Sequence, residues 1–439
     1  MPPEPPEHDD SAEAPGTPEV TPAPLLLLRD GLTAVVDTPE LLEEACAALA
    51  TATGPVAIDA ERASGYRYSA RAYLIQLRRE GAGTWLIDPI AFDSHLPMLQ
   101  GALTGTEWIL HAATQDLPCL REVGLEPAAL FDSELAGRLL GYPRVGLATL
   151  VEEILGQRMR KEHSAADWST RPLPSAWLEY AALDVEVLLE LRTHMIEELE
   201  AAGKAEWARQ EFEHLLGFEP TVRTDAWRRT SGVHRLRGRR SLGAARALWE
   251  ARDRIAAERD VTPGRIIPDS AIVAAAAALP TDRASLLRTK GFHGRGAERY
   301  SRQWLAALDE VMAMAEADLP SRAPRGDGPP HPRTWADRDP VAAERFQLAR
   351  SAVLALSEEL SVPVENLLTP DYLRRAMWTP PATRDADGLA PSLGAQLAAY
   401  GARPWQVELV TPRLVEAVLQ ADERAQSDGD SDGEGDSGT

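Results

Sequence analysis

Short apolar runs alternate with amphipathic segments over the first two hundred residues. Five runs are short and rich in Leu, Ile and Val, which predicts strands at 24–30, 55–61, 72–79, 84–89 and 107–112. The residues EGAG between the third and fourth runs predict a hairpin. Helical periodicity marks the intervening segments, at 38–52 behind the capping residue Thr38, at 94–103, at 114–124 and at 174–201. This alternation predicts an α/β domain over 24–215, with a mixed sheet flanked by helices.

The pattern becomes purely helical after residue 240. A first helical module is predicted at 241–318, a Pro- and Gly-rich linker at 319–334, and a second helical module at 335–421. A shift of 101 residues aligns the apolar positions of 260–272 with those of 361–373. The second module is therefore either a duplicate of the first or a coincidental match between two helix-turn segments.

The charge is unevenly distributed along the chain. A net charge of −22 at first argues against nucleic acid as a partner. However, the acidic leader (1–23) and the acidic tail (422–439) each hold about −6 of it, and both are predicted to be disordered. Between them, the segment 221–240 carries seven arginines against one aspartate. The overall charge therefore does not exclude nucleic acid.

Other features indicate a soluble cytoplasmic protein. No apolar run approaches the roughly 18 residues that a membrane span needs. The leader contains no Lys or Arg, unlike a secretory signal. Cys46 and Cys119 lie far apart in apolar helical patterns, which argues against a disulfide framework. We expect a monomer with no membrane partner.

Two acids stand inside an otherwise apolar strand. Residues i and i+2 of a strand project from the same face, so Asp59 and Glu61 lie side by side. Two adjacent carboxylates repel each other unless a cation joins them, and hard oxygen ligands suit Mg²⁺ or Mn²⁺. A solvated strand face also carries such acids, and the pair alone does not decide between the two.

Three further residues stand at informative positions. Asp116 follows the apolar strand at 107–112, where a strand end delivers side chains to a common site; an acid that caps a helix is the alternative. Tyr180 and Asp184 lie four residues apart and share one face of a helix, which could point toward the acids. The alternative for this pair is a core tyrosine beside a solvated aspartate.

The order of these motifs is more specific than any one of them. An apolar strand with Asp-x-Glu, then HAATQDL, then Tyr-x-x-x-Asp resembles the tyrosine-bearing branch of the DEDD exonuclease superfamily. The stretches ERASGYRYSARAYLIQL and KEHSAADWSTRPLPSAWLEYAALDVEVLLEL closely resemble ribonuclease D. The resemblance covers nearly all of 24–215 and implies a ribonuclease-H-like fold.

The resemblance also implies the chemistry. It places two divalent cations, Mg²⁺ or Mn²⁺, on Asp59, Glu61, Asp116 and Asp184, beside a catalytic Tyr180. This sequence has Ala60 where relatives often have Thr, but that side chain is not a ligand. His111 is expected to pack at a strand end, and Lys161 to be a solvated loop residue.

The activity that the resemblance implies is 3′→5′ exoribonuclease hydrolysis of the two-metal-ion kind. It would release nucleoside monophosphates and trim the 3′ ends of structured RNA such as tRNA precursors. A 3′→5′ DNA exonuclease of repair is the alternative enzyme, because RNA and DNA share the phosphate chemistry. A nucleic-acid-binding scaffold with a vestigial site is the alternative from another class.

Two basic stretches are candidates for nucleic-acid binding. The linker 216–240 offers Arg228, Arg229, Arg237, Arg239 and Arg240, which could contact phosphates or pair with acids of neighbouring domains. The first helical module resembles an HRDC domain. Its segment RTKGFHGRGAERY resembles a hairpin in which glycine amides approach phosphates, with three cations nearby: Lys290, Arg295 and Arg299. A tight turn with exposed arginines is the alternative. The second helical module would be a more divergent HRDC-like copy.

Overall fold

Six strands form one mixed sheet in the α/β domain. The strands are β1 Val35–Val36, β2 Val56–Arg62, β3 Ala72–Arg79, β4 Gly83–Ile87, β5 Glu107–Leu110 and β6 Ala129–Asp132. Their order across the sheet is β1-β4-β3-β2-β5-β6. The central pairs β2/β3 and β3/β4 are antiparallel, whereas β1/β4, β2/β5 and β5/β6 are parallel. The predicted hairpin is confirmed, and β2 lies in the middle of the sheet.

In the described part of the α/β domain, eight α-helices flank this sheet. They are α1 Pro39–Thr51, α2 Pro97–Ala102, α3 Leu117–Glu122, α4 Ser133–Leu140, α5 Leu147–Leu155, α6 Ser175–Glu186, α7 Leu188–Ala201 and α8 Ala205–Leu216. Thr38 caps α1 as predicted, since its hydroxyl accepts a hydrogen bond from the Leu41 amide. The single helix predicted at 174–201 is wrong, because α6 ends at Glu186 and α7 begins at Leu188. Val187, the one residue between the two helices, keeps a right-handed helical backbone, so the break is small. The sequence around it has no Gly or Pro that would predict it.

The computed structural model describes residues 23–160, 163, 165–221, 224–321 and 328–433. The acidic leader up to residue 22, Lys161 and the last six residues of the tail lie outside the described residues. The strand predicted at 24–30 is wrong. Leu25 forms only an isolated bridge with Arg158, away from the sheet, and the Leu27 side chain is 63% exposed. Within the described ranges, no helix is long and apolar enough to cross a membrane.

The first helical module has a core of its own. Its helices are α9 Arg239–Arg259, α10 Pro263–Ile266, α11 Asp269–Ala278, α12 Arg283–Arg288, α13 Arg295–Arg299 and α14 Ser301–Ala313. Trp304 and Phe292 are fully buried and meet edge to face, with ring centroids 6.1 Å apart. Trp227 of the basic linker packs into the same core. The linker therefore belongs structurally to this module.

This module contacts the α/β domain beside the acidic strand. Asp260, at the end of α9, accepts hydrogen bonds from the Ser69 amide at 2.9 Å and from Arg71 at 3.2 Å. The Thr262 amide donates to the Tyr66 carbonyl, and Arg265 lies over the Tyr66 ring at 4.6 Å. The segment between β2 and β3 is thus clamped by the first helical module only a few residues after Glu61.

The second helical module repeats the spacing of the first. Its helices are α15 Trp335–Arg338, α16 Pro340–Leu360, α17 Val364–Leu367, α18 Pro370–Trp378, α19 Ala386–Tyr400 and α20 Pro404–Gly433. Helix α16 begins and ends 101 residues after α9, and α17 begins and ends 101 residues after α10. Helix α18 also begins 101 residues after α11, but it is one residue shorter. Asp260 and Ser361, which end α9 and α16, both adopt the left-handed conformation. These equal spacings support a duplication.

The second module shares a hydrophobic core with the α/β domain. The rings of Trp405 and Trp207 stack with centroids 4.9 Å apart, and the Trp405 indole donates to Glu211 at 2.8 Å. Lys204 donates to the carbonyls of Leu139 and Leu360, which joins the two units further. A chain cut after α8 would expose this apolar surface, so the α/β domain depends on the second module for its packing.

The acidic tail differs from its prediction where the structure describes it. Helix α20 continues through Gly433, so residues 422–433 are helical rather than disordered. The cause is that extending an existing helix forms one hydrogen bond per residue without a new nucleation cost. Asp422 also anchors the start of this segment through an ion pair with Arg384.

Candidate active site

Strand β2 presents the first two acids at the centre of the sheet. Asp59 pairs with Gln76 and Glu61 pairs with Leu74 of β3, so both carboxylates project from one face. Between Glu61 and Arg62 the register shifts by a bulge. A bulge changes the direction of the following side chain. The Arg62 guanidinium consequently turns toward the acids and lies 3.9 Å from Asp116.

A short turn after β5 delivers Asp116. The chain leaves β5 through Ala112, whose φ of 60° is left-handed, and a 3₁₀ helix at Ala113–Gln115. Asp116 then stands at the start of α3 and is only 4% exposed. It makes no side-chain capping hydrogen bond there, so the helix-capping alternative does not account for its position. Its carboxylate is left available to the site.

Asp132 fixes this turn, and the sequence analysis missed it. Its buried carboxylate accepts hydrogen bonds from the Ala112 amide at 3.2 Å and from the Ala113 amide at 2.8 Å. The same carboxylate caps α4 through the Leu135 amide. The only sequence signal is an acid directly before a helix, in FDSELAG. Asp132 therefore acts as a positioning residue for Asp116.

Helix α6 supplies the remaining predicted pair. Tyr180 and Asp184 lie one turn apart on the same face of the helix. Burial raises the pKa of Tyr180 further above its ordinary value of 10, and the neighbouring carboxylates of Asp184, Glu61 and Asp59 add to that shift. The phenol therefore keeps its proton at physiological pH. It can donate a hydrogen bond, but it cannot serve as a general base.

All five predicted residues line one cavity of about 270 Å³. Carboxylate oxygens of Asp59, Glu61 and Asp184 lie within 4.8 Å of one another. Burial is the largest cause that raises the pKa of each of the four acids, and repulsion by neighbouring carboxylates adds to it for Glu61, Asp116 and Asp184. For Glu61 the pKa rises to about 10. The site thus gathers four carboxyl groups beside the single guanidinium of Arg62 among the described lining residues, and these hard oxygen donors fit divalent cations.

His111 also lines this cavity but stays neutral. Burial lowers the pKa of its imidazole to about 4, and its Nδ1 lies 3.0 Å from the hydroxyl of Ser133. The Ser133 hydroxyl in turn donates to the Leu110 carbonyl. His111 therefore packs at the end of β5, in the position expected from the sequence.

The basic candidates separate into two groups. Arg228 pairs with Asp225 at 2.8 Å, while Arg239 and Arg240 donate to carbonyls at the end of the first helical module. These three arginines attach the linker to its own module, which is the structural alternative considered for the linker. A second group is exposed and forms no ion pair within the described part of the chain: Arg229, Arg237, Lys290, Arg295 and Arg299. Binding of nucleic acid by this second group stays a prediction.

Comparisons with protein families match three parts of the chain. Residues 33–200 match a family described as 3′-5′ exonuclease. Residues 241–308 match the HRDC domain, and residues 328–418 match a family described as 3′ to 5′ exonuclease C-terminal domain. The second helical module is therefore matched by a family other than HRDC.

Comparison with individual curated proteins shows which exonuclease family the chain resembles. The chain is 35% identical over 232 residues to ribonuclease D of Acidiphilium cryptum, which covers 51% of this chain and 58% of that protein. It is 32% identical over 282 residues to ribonuclease D of Gluconacetobacter diazotrophicus, which covers 62% of this chain and 71% of that protein. The chain belongs to the ribonuclease D family.

Solved structures extend the likeness to ribonuclease D over most of the chain. A crystal structure of a protein from Bifidobacterium adolescentis matches with a TM-score of 0.82 and 36% identity, covering 90% of this chain and 99% of that one. The structure of Escherichia coli RNase D, described as an exoribonuclease involved in structured RNA processing, matches with a TM-score of 0.60 and 25% identity. It covers 84% of this chain and 99% of that one. The expected fold class is confirmed.

Proposed function

We propose that this chain is a ribonuclease D-type 3′→5′ exoribonuclease, which removes nucleoside monophosphates from the 3′ ends of structured RNA such as tRNA precursors. The observation that supports this most strongly is the convergence of Asp59, Glu61, Asp116, Asp184 and Tyr180 on one cavity. These residues come from three separate elements, and the cavity lies in a domain that matches a 3′-5′ exonuclease family.

The four acids would hold two divalent cations, Mg²⁺ or Mn²⁺. When bound, such cations supply activation of the attacking water and charge neutralisation at the leaving 3′ oxygen. The acids themselves bind and space the cations, and Asp132 keeps Asp116 in place through the turn at Ala112. Asp184 lies one turn from Tyr180 on the same helix face, and its charge favours the protonated phenol.

Tyr180 would orient the scissile phosphate or the attacking water. Because its pKa is raised, the hydroxyl remains a donor throughout the working pH range. The positive charge of Arg62 lies close to three of the acids, and it lowers the pKa of Asp59, Glu61 and Asp116. It therefore opposes the rise in pKa that burial causes in these three acids.

RNA specificity is tested by direct comparison of substrates. Matched single-stranded RNA and DNA, labelled at the 5′ end, are incubated with the purified chain and Mg²⁺, Mn²⁺ or EDTA. Metal-dependent shortening of RNA in preference to DNA is the expected result. Preference for DNA would instead identify the repair exonuclease, and shortening of neither would favour the binding scaffold.

A further inference from the structure

Two further cavities continue from the acidic site. The catalytic cavity shares Leu147, Tyr180 and Asp184 with a neighbouring cavity of about 630 Å³. That second cavity shares Ala148, Met159 and Arg160 with a third one of about 550 Å³. The three cavities therefore form one groove past helix α5, and it begins at the carboxylates.

Three arginines surround the far end of this groove. Arg144 precedes α5, while Arg158 and Arg160 follow it on an extended segment, and all three line the third cavity. All three are exposed, and none forms an ion pair or a side-chain hydrogen bond within the described part of the chain. Among the described lining residues of this cavity, Glu152 is the one carboxylate, and no ion pair joins it to an arginine of the described chain.

The position of Arg158 is fixed by the backbone. Its amide donates to the Pro24 carbonyl at 2.8 Å, and its carbonyl accepts from the Leu26 amide at 2.9 Å. Arg160 lies two residues further along the same extended segment, so it projects to the same side. Arg158 and Arg160 thus line the groove from one backbone segment, and neither guanidinium is engaged in an ion pair within the described part of the chain.

The middle cavity offers aromatic surface between the acids and the arginines. Trp177 and His163 both line it, with ring centroids 6.1 Å apart. Trp177 is backed by the fully buried Trp168 at 5.5 Å, which holds its ring in place. Half-buried aromatic rings that line a cavity can stack on bases, and arginines without an ion pair can contact backbone phosphates.

We propose that this groove binds the single strand upstream of the scissile phosphate, with Arg144, Arg158 and Arg160 contacting backbone phosphates. The inference rests on the proposed exonuclease function and adds to it a binding site for the RNA strand outside the catalytic cavity. An exonuclease removes one terminal nucleotide at a time, and the rest of the strand is still joined to the nucleotide at the acids. That remaining strand must therefore lie along the surface next to the catalytic cavity. A polyanion is repelled by four carboxylates, and cations beyond the acids offset that repulsion.

The test compares a long substrate with one that cannot reach the arginines. An unstructured octaribonucleotide spans the groove, whereas a diribonucleotide has its one internucleotide phosphate at the acids. Octamer binding is measured in EDTA by fluorescence anisotropy over a range of salt, using Arg144→Ala, Arg158→Ala, Arg160→Ala and the triple variant. Each loss of a single-strand phosphate contact should weaken octamer binding about fivefold at about 0.1 M salt and reduce the salt slope by about 0.7.

Two controls separate charge from packing. Arg350→Ala removes an exposed arginine of α16 that lines none of the three cavities, and it should leave octamer affinity unchanged. Arg158→Lys keeps a cation on the same backbone and should retain most of the affinity. Diribonucleotide hydrolysis with Mg²⁺ should keep the wild-type rate in every arginine variant.

The outcomes distinguish this inference from the proposed function. If the wild type hydrolyses the diribonucleotide and the triple variant binds the octamer within twofold of the wild type, the groove assignment is overturned. An equal loss of affinity in Arg350→Ala would overturn it as well. If the wild type hydrolyses neither RNA, the proposed function fails, while the binding measurement in EDTA still decides the role of the arginines.

Discussion

Replacing Glu61 with glutamine should stabilise the metal-free protein, although it removes a proposed metal ligand. Oxygens of Asp59 and Asp184 lie within 4.8 Å of an oxygen of Glu61. At an effective dielectric constant of about 20, each such pair of charges repels by about 3 kcal/mol. Protonating a carboxyl with an ordinary pKa of 4.5 costs about 3 kcal/mol at pH 7, which is less than two such repulsions. Burial is the largest cause that raises the pKa of Glu61, and this repulsion adds to it, so Glu61 takes up a proton in the folded state.

This uptake makes the stability of the metal-free protein depend on pH. The pKa of Glu61 is raised from 4.5 to about 10, so the folded state holds a proton that the unfolded state has released. Stability therefore falls as pH rises between these values, by about 1.4 kcal/mol per pH unit. Glu61→Gln carries no such penalty. Its advantage over the wild type should be near zero at pH 4.5 and about 3 kcal/mol at pH 7.

The assay is urea unfolding of both proteins in EDTA from pH 5 to pH 9. Glu44→Gln, on the exposed side of α1, is the matched control and should follow the wild type at every pH. Mg²⁺ at about 1,000 times its Kd should reverse the order at pH 7, because it stabilises the wild type by about 4.1 kcal/mol, more than the advantage of about 3 kcal/mol that Glu61→Gln has without the metal. A pH-independent difference, or a Glu61→Gln protein less stable than the wild type at pH 8 in EDTA, would refute the reasoning.

Three further substitutions test other parts of the account. Asp59→Asn should abolish hydrolysis but leave RNA binding within a few-fold, measured by anisotropy; retained activity in a folded variant would sink the site assignment. Tyr180→Phe removes the hydroxyl that lines the catalytic cavity beside Asp184 and should lower kcat about tenfold or more with little change in KM; an unchanged kcat would contradict an orienting role. Asp260→Ala removes the contacts to Ser69 and Arg71 and should cost about 2 kcal/mol in urea unfolding; wild-type stability would show that the clamp is weak.

The acids were predictable because their arrangement is local. The two-residue period of a strand places Asp59 beside Glu61, and the helical period places Tyr180 over Asp184. The position of Asp116 depends instead on Asp132, which lies on the next strand and fixes the intervening turn by hydrogen bonds. Strand β6 has only four residues, too few for periodicity to distinguish it from a helix.

Long-range contacts set the limits of the sequence prediction elsewhere. Arg239 belongs to a dense basic stretch, but its guanidinium donates to the Leu319 carbonyl at the far end of the same module. Arg144 lies fourteen residues before Arg158 in the sequence, yet the fold brings both to one cavity around α5. Charge density along the chain therefore pointed to the linker, whereas the exposed arginines of this cavity come from two separate segments.

The shared core also changes the design of truncations. Trp207 and Glu211 of α8 contact Trp405 of the second helical module, so removing everything after residue 217 would damage the α/β domain itself. Removing the first helical module alone preserves this core, because its buried residues form a separate cluster. Such a deletion is the appropriate way to measure what the first module contributes to RNA binding.

The most direct test of the central claim follows the 3′ end of an RNA. A 5′-labelled single-stranded RNA is incubated with Mg²⁺ and either the wild type or Asp59→Asn, and the products are separated by length while released nucleotides are identified by chromatography. The account predicts a ladder that shortens from the 3′ end, with nucleoside monophosphates released by the wild type alone. An unshortened RNA with the wild type, or equal shortening by Asp59→Asn, would contradict it.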